Sequence, residues 1–241
     1  MATGLVTTTL LTDATLAAFA SHVPRRAHLM VARQFAHANV DVMLGGGRVV
    51  FEYRASDSQP PPLEAMRDRY TYVTSADELD AVDLSAVDKL LGLCAEQDMA
   101  LAPERSPSLA AMTAVALEVL DRASAGFFLL VETEETDTQA HHNRPFDVIS
   151  EEMRALDEAI RVVVAYHDRH PETLIVVVGD HETGGLTVHA DSLGHPVVRY
   201  TTTGHTAELV PLFALGPGAE RFGGILANDQ VGRLLLDAVR R

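Results

Sequence analysis

Thr173-Leu174-Ile175-Val176-Val177-Val178-Gly179-Asp180-His181 is the stretch that decides the fold. A short, β-branched apolar run bounded by glycine reads as a strand buried on both faces. It ends directly in a carboxylate and an imidazole. The run Gly126-Phe127-Phe128-Leu129-Leu130-Val131 repeats the pattern and ends in Glu132, with Asp137 and His141 shortly after. A third histidine, His205, sits in Thr203-Gly204-His205-Thr206. Oxygen and nitrogen donors placed just after buried strands point to a metal site at the carboxyl edge of a sheet.

Outward from these strands, the pattern alternates between strand and helix. Leu5 to Leu11 reads as a strand, and Asp13 as the N-cap of a helix over Ala14 to Ala20. A second helix is expected over Arg26 to Ala38. Val40 to Leu44 is a short strand running into Gly45-Gly46-Gly47. No Lys-Ser or Lys-Thr follows those glycines, so they read as a tight loop rather than a phosphate loop. Tyr70 to Thr74 is a further strand, and Pro103 and Pro107 make residues 94–107 irregular. Helices are expected over Ser108 to Ser124, with Leu109, Met112, Val115, Ala116 and Val119 inward, over Phe146 to His170, and near Asp229 to Val239. Gly126 to Glu132 reads as a buried strand, and Glu208 to Phe213 as strand-like. Strands alternating with helices argue for an α/β layered domain, taken as one domain over residues 1–241.

The balance of charge excludes some partners. A formal net charge of -15 argues against nucleic acid or an anionic membrane surface. No apolar run reaches the roughly 18 residues of a membrane span. The first residues have no basic region and no long apolar region, so they read as a strand and not as a signal peptide. Cys94 is the only cysteine, which leaves no internal disulfide, and its apolar surroundings predict a buried, inert thiol.

Asp137 and His141 are four residues apart, so a helical turn puts both on one face. Asp180 and His181 sit on a post-strand turn where both can point at one site. Any one histidine is more often structural than a ligand. Three histidines with three carboxylates at several strand ends shift the reading to metal.

These segments resemble the alkaline phosphatase family. Val131-Glu132, then Asp137-Thr138-Gln139-Ala140-His141, is similar to a family motif, as is Gly179-Asp180-His181-Glu182-Thr183-Gly184-Gly185. Gly204-His205-Thr206, followed by Val210-Pro211 and Gly216-Pro217-Gly218-Ala219, resembles the family's last histidine motif. Thr3 to Thr9 with Asp13-Ala14-Thr15 resembles its strand and metal-adjacent turn. His22-Val23-Pro24-Arg25-Arg26 resembles its phosphate-binding arginine segment, and Asp41 to Gly47 its glycine-rich strand end. The resemblance covers essentially the whole chain in the family's order.

The resemblance implies a fold and a set of roles. The fold would be α/β, a central mixed, largely parallel sheet flanked by helices, here without its N-terminal strands. Asp137, His141 and His205 would hold a first zinc, and Asp180 and His181 a second. Glu132 and Thr15 would contribute to a magnesium site with Asp13 beside it. Arg26 would clamp the phosphate of a phosphomonoester substrate, Arg25 being its neighbour, and Thr138 would tune the phosphate pocket. Complete relatives are homodimers exported to the periplasm or outside the cell.

The sequence also departs from the family pattern. Thr133 stands where the family has glycine after the motif glutamate, and Thr206-Ala207 where a Thr-Gly is common. The family's serine nucleophile, preceded by an aspartate, and an aspartate bridging the second zinc and the magnesium both precede the strand at which this chain begins. The expectation is therefore a C-terminal portion lacking the nucleophile. Asp57-Ser58 and Asp191-Ser192 are the internal substitutes, and both read as solvated loops. The rival reading is a catalytically inactive metal-binding fragment, or a subunit that needs an N-terminal partner segment. A third is another metal phosphoesterase, such as a phosphodiesterase or mutase; the arginine segment and the Thr-Gly-Gly after Asp180-His181 favour the phosphatase.

Overall fold

The computed structural model describes residues 1–240. Its contacts divide into two compact units, Met1–Glu135 and Thr136–Arg241, each taken by itself. The first unit is built on β1 (Ala2–Leu10), followed by α1 (Ala14–Ala20), α2 (His28–His37), β2 (Val42–Gly46) and a short α3 (Arg48–Phe51). Then come β3 (Thr71–Val73), α4 (Ala76–Asp80), β4 (Leu90–Leu93), α5 (Leu109–Leu120) and β5 (Phe127–Val131). The five strands form one parallel sheet in the order β3-β4-β2-β1-β5.

Local chemistry explains most of these elements. The Asp13 carboxylate caps α1 by accepting from Ala14 N at 2.6 Å, and Ser108 Oγ caps α5 by accepting from Ala111 N at 3.1 Å. Alternation along each strand sends side chains to the two sheet faces. Leu5, Met43 and Leu91 join Leu16, Val31 and Phe35 in a core under α1 and α2. The opposite face carries Gly4, where a Cβ would come within 2.7 Å of Leu120 on α5, so glycine is what lets that helix lie close. Helices therefore cover both faces of a parallel sheet.

The second unit holds α6 (Glu135–His141), which begins at the unit boundary, and α7 (Phe146–His167). After these come β6 (Ile175–Val178), β7 (Glu182–Thr183), β8 (Thr187–Ala190), β9 (Pro196–Arg199), β10 (His205–Thr206), β11 (Leu212–Leu215) and α8 (Asn228–Val239). Its strands pair antiparallel in twos: β6 with β11, β7 with β10, and β8 with β9.

Several expectations need correction. β5 reads as a buried strand, yet all five of its residues are only half-buried. It ends the sheet and pairs with β1 alone among the described residues, so one edge has no neighbouring strand. Glu208 to Pro211 is irregular, and the strand there is Leu212–Leu215. The helix expected from Arg26 starts at His28, because Arg25 and Arg26 form a turn after Pro24. α5 stops at Leu120 and α7 at His167, each three or four residues early. β4 has no separate signal in the sequence: its four buried residues simply precede Cys94.

Candidate metal and phosphate site

The site is assembled from three pieces of the second unit. α6 presents Asp137 and His141 one turn apart, the turn after β6 presents Asp180 and His181, and β10 presents His205. The two-residue ladder of β7 against β10 sets His205 directly opposite Thr183 and Thr206 opposite Glu182. Glu182 reinforces that register. It accepts from Leu186 N at 2.8 Å, from Gly185 N at 3.0 Å and from the Thr206 hydroxyl. Burial pushes the Glu182 carboxyl up, but these donors outweigh it and hold it below the ordinary value.

Asp137 is the hub. Its Oδ2 lies 3.3 Å from His141 Nε2, and its Oδ1 lies 3.4 Å from His205 Nε2 and 3.9 Å from His181 Nδ1. His141 Nε2 and His205 Nε2 are 3.1 Å apart. The rings of His181 and His205 stack with centroids 3.5 Å apart. Asp137, His181 and His205 also bring one donor atom each within 4.8 Å of one another. On the second side, Asp180 Oδ2 lies 3.1 Å from His181 Nε2.

Hydrogen bonding fixes what one of these nitrogens offers. His141 Nδ1 is 2.6 Å from the carbonyl oxygen of Thr203, which can only accept. The hydrogen of the neutral ring is therefore on Nδ1, and Nε2 presents a lone pair. That lone pair faces a second imidazole nitrogen and a carboxylate oxygen at 3.1 and 3.3 Å. Such a cluster of electron-rich atoms can accept positive charge at its centre. One carboxylate oxygen and two imidazole nitrogens are a donor set suited to zinc. The residues present thus fit the metal that the sequence implies.

The remaining sequence candidates lie in the first unit or beside the histidines. Thr138 follows Asp137 on α6, and its carbonyl accepts from His142 Nδ1 at 2.8 Å. Glu132 follows β5 and accepts from Thr7 Oγ1 at 2.8 Å. Asp13 caps α1 and takes Arg25 Nη2 at 3.1 Å on the same oxygen. Thr15 is exposed on α1, and Arg26 is exposed in the turn before α2. Gly46 and Gly47 end β2 by packing against the end of β1.

Both serine substitutes are in exposed loops. Ser58 Oγ has Ser56 Oγ at 3.1 Å. Asp191 ties down its own turn, accepting from Leu193 N at 2.8 Å and His195 N at 2.9 Å, which leaves Ser192 at an exposed tip.

Sequence reasoning missed two features. Thr183 is buried, and its hydroxyl meets Asp137 Oδ1 and lies 3.3 Å from His181 Nδ1. Its place two residues after His181, on the same side of an extended segment, was the available signal. Glu134, two residues after Glu132, is half-buried. Burial, opposed by a Thr9 hydrogen bond and reinforced by Asp13, Glu132 and Asp98, pushes its carboxyl up to about 7. Cys94 is half-buried rather than buried, and its thiol is pushed up to about 11, chiefly by burial.

Comparison with known proteins gives one consistent result. The profile of the family described as Alkaline phosphatase matches residues 1–198. Alkaline phosphatase 4 of Bacillus subtilis (strain 168) is 26% identical, the alignment covering 99% of this chain and 67% of that protein. Repressible alkaline phosphatase of Saccharomyces cerevisiae is 34% identical, over 76% of this chain and 38% of its own length. The solved alkaline phosphatase from the Antarctic bacterium TAB5 superposes with a TM-score of 0.89 at 27% identity, over 100% of this chain and 72% of that one. A variant of the TAB5 enzyme, solved with magnesium bound, superposes with a TM-score of 0.88. The chain thus spans about two thirds of the Bacillus relative and well under half of the yeast one.

Proposed function

Because the chain belongs to the alkaline phosphatase family, we propose that it supplies the metal ligands and phosphate clamp of a zinc- and magnesium-dependent phosphomonoesterase. Asp137, His141 and His205 would hold the first zinc, and Asp180 and His181 the second. Glu132 and Thr15 would serve magnesium, with Asp13 beside them. When bound, zinc supplies Lewis-acid polarisation of a phosphoryl oxygen and lowers the pKa of water.

The chain's own residues orient and bind. Thr203 O holds the His141 ring with Nε2 inward. The β7–β10 ladder holds His205 against Asp137. Arg26 offers a planar fork matched to two phosphate oxygens, and Thr138 would border that anion. No residue of this chain is assigned as nucleophile. The convergence of Asp137, His141 and His205 within 3.4 Å carries the reading.

The test is zinc titration of the 241-residue chain together with aryl phosphate hydrolysis. Closer to one zinc than two should bind tightly, because Asp180 and His181 supply two ligands where a catalytic zinc site has three. Hydrolysis should be slow and leave no phosphoserine, and adding an N-terminal segment that carries an Asp-Ser nucleophile should restore turnover. Failure to bind zinc, or rapid turnover with a trapped phosphoserine, refutes the proposal.

A second reading, a metal-binding subunit that acts only with another segment, draws on the β6–β11 ribbon. Both faces of that ribbon are apolar, yet Val178, Phe213 and Leu215 are exposed.

A further inference from the structure

Thr183 is a buried hydroxyl that meets two different proposed ligands. It is 8% exposed and sits on β7 opposite His205. Its Oγ1 contacts Asp137 Oδ1 and lies 3.3 Å from His181 Nδ1. A hydroxyl carries one hydrogen and two lone pairs. An ionised carboxylate only accepts, so that hydrogen goes to Asp137. What remains for His181 Nδ1 is an acceptor. That acceptor favours the hydrogen on Nδ1 and the lone pair on Nε2, the atom 3.1 Å from Asp180 Oδ2, over the tautomer that donates Nε2–H to Asp180. In that tautomer a lone pair on Nε2 faces a carboxylate oxygen, an arrangement a bound cation would satisfy.

We propose that Thr183 is a positioning residue that couples the two halves of the site: its hydroxyl sets the tautomer of His181 and the rotation of the Asp137 carboxylate together. The inference rests on the metal reading above and deepens it. Three features hold the hydroxyl still. Threonine is restricted at χ1 by its branching. β7 is pinned to β10 by backbone pairing. The next residue is anchored as well, since Gly184 N donates to Gly204 O at 2.9 Å and Thr201 N donates to Gly184 O at 2.9 Å. Partners of this kind are typically worth 10–100-fold in metal affinity.

The experiment uses the 241-residue chain, zinc alone as the probe, and two readouts. One is the zinc isotherm. The other is the ring-nitrogen NMR pattern of His181 in the metal-free chain, which reports which nitrogen carries the hydrogen. Thr183→Val keeps the shape and removes the hydroxyl. It should weaken zinc binding about 10–100-fold and release His181 from the Nδ1–H form. Thr183→Ser keeps the hydroxyl and should restore both.

A Thr183→Val chain that binds zinc like wild type with His181 still in the Nδ1–H form overturns the proposal. So does a wild-type His181 that carries its hydrogen on Nε2, a result that needs no variant and stands even if Thr183→Val does not fold. If the wild-type chain takes up no zinc, the metal reading fails, while the tautomer readout still decides the role of Thr183.

Discussion

Replacing Gly46 by alanine tests how tightly the carboxyl ends of the central strands are packed. A Cβ at Gly46 would sit 2.1 Å from the carbonyl oxygen of Gln97 and 3.1 Å from that of Thr9. The first separation is more than about 1 Å too short for van der Waals contact, and both neighbours are backbone that cannot rotate away. Forcing such an overlap costs about 1–3 kcal/mol. Moving the Gln97 carbonyl also disturbs its bond from Gly47 N at 2.9 Å. That N–H reaches Ala95 O at 3.1 Å as well, so part of the bond is recovered. The hydrogen-bond loss is then about 1 kcal/mol, nearer the low end for a buried donor.

The sum is about 2–4 kcal/mol, or a melting temperature lower by roughly 4–16 °C for a chain of this length. Gly232 on α8 is the control, since nothing lies within 4 Å of its would-be Cβ. The same substitution there should stabilise by about 0.5–1 kcal/mol, because alanine loses less backbone entropy in a helix. Scanning calorimetry and urea unfolding read both variants. A Gly46→Ala protein within about 0.5 kcal/mol of wild type, the range of ordinary surface changes, would mean that the Gln97 segment does not pack on the glycine run.

Other outcomes follow from the site. With zinc at a hundred times its Kd, binding should stabilise the chain by about 2.7 kcal/mol; Asp137→Asn, which removes the charge shared by three imidazoles, should abolish the thermal shift, and an unchanged shift would place the metal elsewhere. Glu134 is raised from its ordinary 4.5 to about 7, so the folded chain holds a proton that the unfolded chain releases. Its stabilising contribution is present below about pH 4.5 and lost as pH rises through about 7. Glu134→Gln should flatten the stability–pH curve over that window, and a curve that keeps its slope would count against the burial of Glu134 as the cause. Arg26→Ala should weaken inorganic phosphate binding by the zinc-loaded chain about tenfold or more, the worth of a charge-assisted hydrogen bond, measured by competition or calorimetry. Equal affinity would remove Arg26 from the phosphate clamp.

The sequence by itself determined the class of fold and supplied the candidate donors of the site. Apolar runs such as Phe127–Val131 and Ile175–Val178 have strand length and β-branched or aromatic composition. Asp13 and Ser108 cap helices by a rule that needs only the next three residues. Asp137 and His141 share a helical face because the helix repeats at that spacing. These are local matters, set within a few residues along the chain.

Tertiary structure alone decided the rest. β5 and β6 have the composition of fully buried strands, yet β5 and Ile175–Val177 of β6 are only half-buried and Val178 is exposed, because burial depends on which strands flank them and no local pattern encodes that. β4 draws its identity from pairing between β2 and β3 and has no turn signal of its own. The tautomer of His141 depends on the Thr203 carbonyl, 62 positions away. The hydroxyl of Thr183 meets Asp137, 46 positions earlier. Such pairs form only when strands and loops distant in sequence are brought into register, so which donors face one another, and which nitrogen carries the hydrogen, could be read only from the folded chain.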